Sequence, residues 1–451
     1  MTSPARRAAL DALAQVRRRG GYVAPLVERA AASRSLSPSD HALAVLLAKG
    51  VTRTRGTLDD TVGRFTRLER LEPHVLDVLR LGAFELLFLR TAPHAAVDEA
   101  VSAVKRFRPQ AASLVNAVLR RLAQEADSFP WGDPATDPDA LARASGAPRW
   151  LVDALTADLG PTAARETLAA LGAEPPLYGR ANALVGEPAT ILAALTAEGV
   201  ATEPAPPDGL AFRALDAAAF ARSTALARDH VFVCDAAAQY AALQAASDAA
   251  RTIVEIGAGR GTKTLVVLGA LRMRRASVRV VAVEPNAWRA RVLEQRLAAA
   301  GVESLAVVVA DVRDVPSGDL VPESADVVFV DAPCTGSGTL RRHPEAVWRV
   351  VPDDVGRLSA LQSEMLEAAS VYVREGGLLV YSTCSVFTAE NGDVVRGFLA
   401  SPGGSSFFVE PLDPVPPDAW NRFVTTEGFF RSWPSVDGPD GHFVARLRKS
   451  G

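Results

Sequence analysis

Cysteine is scarce: the 451 residues carry three, Cys234, Cys334 and Cys384. They cannot build a disulfide framework, and none are spaced as CxxC, so a stapled secreted scaffold and a thiolate metal site are excluded. The six histidines are scattered, which argues equally against zinc. Long apolar runs are missing too. No stretch of about eighteen apolar residues occurs, so no membrane span is expected. The first residues, Pro4-Ala5-Arg6-Arg7, lead into a charged helical pattern and not into an apolar signal core. Internal repeats are absent. The expectation is a cytoplasmic monomer with no metal and no membrane partner.

A large positive charge is also missing, since the net charge is -3. The average conceals an asymmetry. Residues 1–130 hold 20 Lys+Arg against 13 Asp+Glu, a net of +7, while the remainder holds 29 against 39, a net of -10. A basic third on an acidic body fits a docking module for a polyanion; an ordinary solvated helical surface gives the same count. The composition, 48% hydrophobic and 22% charged, is that of a globular protein, and the length calls for two or three domains.

Residues 1–125 read as helical. Leu10, Leu13 and Val16 follow helical spacing, as do Leu43, Leu46 and Leu47, and Ser39-Asp40 can cap the second segment. An apolar helix over 75–89 should be central to this bundle and be broken by Pro93, with further helices over 97–107 and 114–122. Turn residues from Phe129 to Pro138 mark a boundary, giving a first domain over 1–130. A small α+β unit is expected over 145–233, with a helix over 150–159 stopped by Gly160-Pro161, a strand over 178–182 and a helix over 191–198. From 234 to 451 strand and helix alternate. Strands are expected over 252–256, 279–283, 305–309, 327–330 and 378–381, and helices over 262–271, 288–300, 359–373 and 393–399. That pattern predicts a mainly parallel, Rossmann-like sheet with helices on both faces. Ligands bind such sheets beyond the carboxyl ends of the strands, where Glu255, Glu284, Asp311 and Asp331 fall.

The first strand runs into Gly257-Ala258-Gly259-Arg260-Gly261-Thr262-Lys263, which opens a helix. Glycines let the backbone turn sharply and approach a ligand. Glu284, about twenty residues on, is placed for ribose hydroxyls. Asp311 is placed for an adenine amino group. Three strand-end acids after a glycine loop fit S-adenosylmethionine better than a nicotinamide cofactor. Lys263 is not a P-loop lysine, because the four-residue spacing between glycines is missing.

Cys334 and Cys384 each lie in a tight polar loop just past an apolar strand. A single such cysteine is usually a small apolar filler; two at one end of one sheet form a candidate pair. Cys234, in an apolar run, reads as structural. Methylating carbon 5 of cytosine needs a thiolate to attack carbon 6, an acid at the ring N3, and a group that removes the carbon 5 proton. Asp331, Cys334 and Cys384 can supply these.

Two segments carry a family resemblance. Asp331-Ala332-Pro333-Cys334-Thr335-Gly336-Ser337-Gly338, followed by Arg341-Arg342-His343-Pro344-Glu345, resembles the fourth motif of the RNA cytosine-5 methyltransferases. Tyr381-Ser382-Thr383-Cys384-Ser385-Val386, followed by Glu390-Asn391, resembles their sixth. The basic helical segment with Leu114-Val115-Asn116-Ala117-Val118-Leu119-Arg120-Arg121 resembles the NusB-like domain of antitermination factors. Its fusion to a methyltransferase resembles the Sun/RsmB-type 16S ribosomal RNA enzymes. Arg180-Ala181-Asn182 and the late run from Asp440 to Leu447 match that layout, so the resemblance spans essentially the whole chain. It implies a NusB-like RNA-binding bundle, a small α+β linker domain and a methyltransferase domain that uses S-adenosylmethionine on RNA. It implies that Cys384 is the nucleophile and Cys334 the release group. The donor site maps onto Gly257, Ala258, Gly259, Arg260, Gly261, Thr262, Lys263, Glu284, Asp311 and Asp331.

The chain departs from the pattern in two places. The family's first motif usually reads cysteine, two alanines, proline, two glycines and lysine, and here only its end matches. Cys234-Asp235 stands where Gln-Asp is usual. Neither change removes a catalytic group, and together they mark a diverged branch. Arg341 and Arg342 are expected to meet phosphate. His343 is a candidate RNA contact and equally a packing residue beside Pro344. Two alternatives stay open: the same chemistry on transfer RNA or another ribosomal site, and a non-catalytic RNA-binding or antitermination factor. The intact cysteine pair speaks against the second.

Overall fold

A computed structural model describes residues 2–315, 318 and 320–451, and the chain forms two units. The first comprises Met1–Ala173 and Leu340–Val351; the second comprises Glu174–Thr339 and Pro352–Gly451.

The first unit is helical: α1 (Pro4–Arg19), α2 (Val23–Ala32), α3 (Pro38–Arg53), α4 (Arg55–Gly63), α5 (Pro73–Leu87), α6 (Pro93–Lys105), α7 (Ala112–Glu125), α8 (Pro138–Ser145) and α9 (Arg149–Gly172). α1 begins where the Ser3 side chain accepts from the Arg6 N–H, and Pro4 occupies the first turn, where a missing N–H costs nothing. Its last turn carries Arg17, Arg18 and Arg19, which favours the negative end of the helix dipole. α5 is central as expected, with Val78, Leu79, Phe84 and Leu86 buried. Each such side chain contributes about 1.5–3 kcal/mol of burial. The Phe84 ring lies so close to α3 that a Cβ at Gly50 would come within 2.1 Å of it. Segment Leu340–Val351 packs in this unit. Trp348 lies over Gly56 and donates to the Arg53 carbonyl, Arg349 donates to the Gly21 carbonyl at 3.0 Å, and the His343 ring sits 5.4 Å from Tyr22.

Several boundaries differ from expectation. α3 is capped by Ser37 with Pro38 in its first turn, so Ser39 and Asp40 lie inside the helix. Leu46 is exposed while Leu47 is buried. Pro93, read only as a breaker, also opens α6, because proline is preset for the first helical turn. α9 breaks at Gly160, where φ is 76°, but a second helical half follows Pro161. Arg341 is buried, in contrast to the expected phosphate contact, whereas His343 is exposed.

The second unit holds two sheets. The smaller is antiparallel, in the order β2-β3-β1-β4, from β1 (Leu177–Ala181), β2 (Thr202–Pro204), β3 (Ala211–Ala214) and β4 (Val231–Val233). Helices α10 (Pro188–Ala197), α11 (Ala217–Arg222) and α12 (Thr224–Ala227) accompany it. Only β1 and α10 were anticipated, since strands of three or four residues show too little alternation to read. Arg180 on β1 is buried and forms a fork with Asp208 at 2.8 and 2.9 Å while donating to Gln239 at 3.0 Å. This places Arg180 in the structural frame.

α13 (Ala236–Leu243) leads into the larger sheet: β5 (Thr252–Ile256), β6 (Arg279–Val283), β7 (Leu305–Val308), β8 (Ala325–Asp331), β9 (Val373–Thr383), β10 (Phe407–Val409), β11 (Phe430–Arg431) and β12 (Phe443–Lys449). Helices α14 (Thr262–Met273), α15 (Ala287–Ala299), α16 (Pro352–Ser370) and α17 (Gly392–Ala400) connect its strands. The order is β10-β12-β9-β8-β5-β6-β7, with β11 paired to β12. From β9 to β7 the strands are parallel; β12, β10 and β11 add antiparallel pairings at one edge. The helix expected to reach Val373 ends at Ser370, and β9 begins at Val373. Gly376-Gly377 interrupts the apolar pattern of β9 and hid its first half. The sheet is buried on both faces at its centre, which is why β5 and β8 read as continuous apolar runs. The chain steps from β5 to β6 and β7 on one side, then returns to β8 and β9 on the other. The switch point lies between β5 and β8, and sheets of this kind form their ligand crevice at the carboxyl ends there.

Candidate active site

Two groups of loops meet at that switch point. The first follows β5. Gly257, Gly259 and Gly261 all have positive φ, between 60 and 79°. At Gly257 the absence of a side chain is required twice, because a Cβ there would also come within 2.3 Å of the Asp331 carbonyl. Glu284, just past β6, accepts from the Gly259 N–H and the Asn286 N–H, both at 2.9 Å. Thr262 accepts from Arg296 at 3.2 Å, and Arg260 is exposed. Asp311 follows β7, and its carboxylate is engaged by Arg313, which also pairs with Glu364 at 2.6 Å. The Arg313 hydrogen bonds hold the Asp311 carboxyl below its ordinary range.

Glu255, near the end of β5, is 2% exposed, and its Oε1 has no hydrogen-bond partner among the described residues. Burial pushes its pKa up to about 8. Asp331, at the end of β8, pairs with Lys263 from the first turn of α14. Burial alone would lower the Lys263 ammonium, but the charge and hydrogen bond of Asp331 more than offset it, so the group is held above its ordinary range.

The second group follows β8 and β9, which are adjacent and parallel, with Asp331 beside Ser382 in the register. This brings Cys334 and Cys384, fifty residues apart in sequence, to a separation of 3.2 Å between sulfurs. Both are partly exposed. The hydrogen bond from Cys334 lowers the Cys384 thiol; burial opposes this and the Lys263 ammonium reinforces it. Cys334 moves the other way. Its hydrogen bond to Cys384, burial, and the negative charges of Cys384 and Glu390 all raise it. The shared hydrogen bond and Lys263 therefore make Cys384 the more acidic thiol of the pair and leave Cys334 the less acidic. Cys234 is buried in the core, with its N–H bonded to the Tyr178 carbonyl.

The structure thus brings Asp331, Lys263, Cys334, Cys384 and the glycine loop together, while Glu284 and Asp311 follow the next two strands along the sheet. Other participants were not singled out from sequence. Gln362 of α16 donates to the Pro333 carbonyl at 2.8 Å and to Glu390 at 3.1 Å. Gly338 and Gly441 touch backbone to backbone: a Cβ on Gly338 would lie 2.2 Å from the Gly441 carbonyl. The sequence signal for that contact was a glycine in each of two quoted motifs.

Comparison with known proteins fits this geometry. The 16S rRNA methyltransferase RsmB/F family matches residues 242–448, the NusB family residues 3–124, and an RsmF/B-like ferredoxin-like domain residues 147–214. The fold is thus a NusB-type helical domain, a small ferredoxin-like domain and a C-terminal α/β methyltransferase that uses S-adenosylmethionine. A protein of Mycobacterium tuberculosis (strain H37Rv) named as a methyltransferase is 34% identical over 469 residues, covering 99% of this chain and 96% of its own. Ribosomal RNA small subunit methyltransferase B of Thermus thermophilus is 31% identical, covering 96% and 94%. The crystal structure of PH0851 superposes with a TM-score of 0.80 at 23% identity, covering 100% and 99%, and so shares the fold. NSun6 from Pyrococcus horikoshii, solved with SFG, shares it over 67% of this chain and 98% of its own, at 17% identity and a TM-score of 0.57. The chain belongs to the RsmB/F methyltransferase family.

The donor half fits S-adenosylmethionine on its own chemistry. That donor carries a sulfonium and an ammonium, and the site offers a buried Glu255 carboxyl whose Oε1 has no hydrogen-bond partner among the described residues, with space at Gly259. Among the described residues no helix is long and apolar enough to cross a membrane, and no group of three or more His, Cys, Asp or Glu could hold a metal ion.

Proposed function

We propose that this protein methylates carbon 5 of a cytosine in RNA, with 16S ribosomal RNA as its substrate, through a covalent adduct to Cys384. The observation that carries this reading is the pair of cysteine sulfurs 3.2 Å apart beside the Lys263–Asp331 ion pair. The name of the Thermus thermophilus relative, which covers nearly the whole chain, supports the choice of RNA. The donor is held by Gly257, Ala258, Gly259, Arg260, Gly261, Thr262 and Lys263, with Glu284 on the ribose, Asp311 on the adenine and Asp331 at the boundary with the base. When bound, S-adenosylmethionine supplies the electrophilic methyl group.

Cys384 attacks carbon 6 of the ring, and N3 takes a proton from the acid form of Asp331, which takes it back when the base is released. Carbon 5 becomes the nucleophilic end of an enamine and takes the methyl group. Once Cys384 is bonded to carbon 6 its charge no longer raises Cys334, which gives its proton to water and takes the carbon 5 proton; the electrons reform the 5,6 double bond, and Cys384 leaves as thiolate. The cytosine has to leave its stack to reach the thiols. The division 1–130, 145–233 and 234–451 assigns RNA holding to the first segment. Arg7, Arg18, Arg19 and Arg106 line a concave face there beside Phe107, chemistry suited to a phosphate backbone.

Two variants and one map test the reading. Cys384→Ser should abolish methylation, by roughly a thousandfold or more, as expected for loss of a nucleophile; retained turnover sinks the assignment. Cys334→Ser should accumulate a covalent protein–RNA band during turnover, and a gel without one removes Cys334 from the release step. Bisulfite sequencing of total RNA with and without the protein names the cytosine.

A further inference from the structure

We propose that Glu390 is a positioning residue for this reaction: its carboxylate ties the residue after Cys334 to the residue after Cys384 and so fixes the spacing of the two sulfurs. The inference rests on the reading of these cysteines as the reacting pair. Glu390 is fully buried. It accepts from the Thr335 N–H at 2.8 Å, the Thr335 hydroxyl at 2.5 Å, the Ser385 hydroxyl at 2.5 Å and the Gln362 amide at 3.1 Å. No cation pairs with it among the described residues, so four hydrogen bonds carry a buried charge.

The neighbours on both sides of each cysteine are bound in this way. Around Cys334, Pro333 is held by Gln362 and Thr335 by Glu390. Around Cys384, Thr383 donates to Asn391 at 2.5 Å and Ser385 donates to Glu390. Asn391 also donates to the Ser385 carbonyl at 2.9 Å. Glu390 is itself fixed by the Tyr381 hydroxyl, which donates to its carbonyl at 2.7 Å. The sulfurs remain turned to each other. A carboxylate within this frame favours a neutral Cys334, while Lys263 favours the thiolate at Cys384. One buried group thereby sets the spacing, while the asymmetry comes from Lys263 and from the hydrogen bond between the sulfurs, since the Glu390 charge raises both thiols.

Glu390→Gln conserves shape and removes the charge. The expected result is a kcat lower by about tenfold or more with both KM values within about twofold. In the same variant the pH midpoint for Cys334 alkylation, followed by peptide mass spectrometry without RNA, should fall by about half a unit or more. Either an unchanged kcat or an unchanged alkylation midpoint overturns the proposal. If the variant does not fold, Ser385→Ala, which cuts one arm of the clamp and keeps its charge, decides by kcat, and an unchanged kcat overturns the proposal. Where both fold, the double variant should lose little more than Glu390→Gln alone, and additive losses overturn the shared link. The alkylation reading needs no RNA. A failure of the proposed substrate therefore leaves it standing, and a failure of the clamp leaves the nucleophile tests unaffected.

Discussion

The two halves of the crevice are finished to different degrees. In the cysteine half, the backbone or hydroxyl of each residue flanking Cys334 and Cys384 is bound by Gln362, Glu390 or Asn391. In the donor half, the Glu255 Oε1 and Thr264 Oγ1 atoms are buried without a hydrogen bond of ordinary geometry among the described residues, and three glycines hold positive φ. The half that must present a nucleophile at fixed distance is wired before any ligand arrives, as preorganised electrostatics require. The half that must receive a cationic ligand keeps its polar atoms open for it. Lys263 belongs to both, because it follows the glycine loop and pairs with the acid that precedes Cys334.

Removing that shared residue should have the largest effect on the comparison. Lys263→Met leaves Asp331 unpaired and takes away the cation that lowers Cys384; both changes raise the thiol. The alkylation profile of Cys384 should move to higher pH, and kcat at neutral pH should fall by about a hundredfold. A Cys384 profile that does not move would separate the two halves and leave Lys263 to the donor alone.

A smaller effect is expected where only the donor half is touched. Gly257→Ala puts a Cβ against the Asp331 carbonyl at a residue with φ of 77°. Backbone strain of about 1–3 kcal/mol should weaken donor binding about tenfold to a hundredfold. The alkylation profile of the cysteine pair should stay where it is. Calorimetry with S-adenosylmethionine reads the first and peptide mass spectrometry the second. A shifted cysteine profile would mean that the halves are one mechanical piece.

The same contrast explains what the sequence made legible. β5, β6 and β8 are buried on both faces, so they stand out as short apolar runs, and the acids and cysteines at their ends inherit that clarity. The glycine loop is local and carries its meaning in consecutive residues. The clamp is not local. Glu390 lies fifty-five residues from Thr335, and their bond exists because β8 and β9 are neighbours in the sheet. Nothing in the spacing of Thr335, Gln362 and Glu390 announces it, although Glu390-Asn391 belongs to a recognisable motif. The short edge strands β10 and β11 were invisible for the opposite reason: they owe their existence to pairing with β12 and carry little pattern of their own. Arg341 was misjudged because charge was taken for exposure.

The smallest expected effect falls on Glu255, and its sign depends on pH. The unfolded carboxyl titrates near its ordinary 4.5, the folded one near about 8. Between those values the folded state holds a proton that the unfolded state has lost. Stability therefore declines as pH rises through that window, and the full cost stands above it. Glu255→Gln has no proton to lose. The variant should match the parent at about pH 4.5 and exceed it in stability above about pH 8.5, where the parent bears the cost of ionising a buried carboxyl. Melting curves across pH measure the divergence, and parallel curves refute it. Donor binding should change in the opposite sense. A cation beside Glu255 favours its charged form, so the parent should release part of a proton on binding S-adenosylmethionine near neutral pH. Calorimetry in two buffers of different ionisation enthalpy should show that release in the parent and lose it in the variant. The variant would then be more stable and a weaker donor binder, as expected if Glu255 is left unsatisfied in the fold and is satisfied by the ligand.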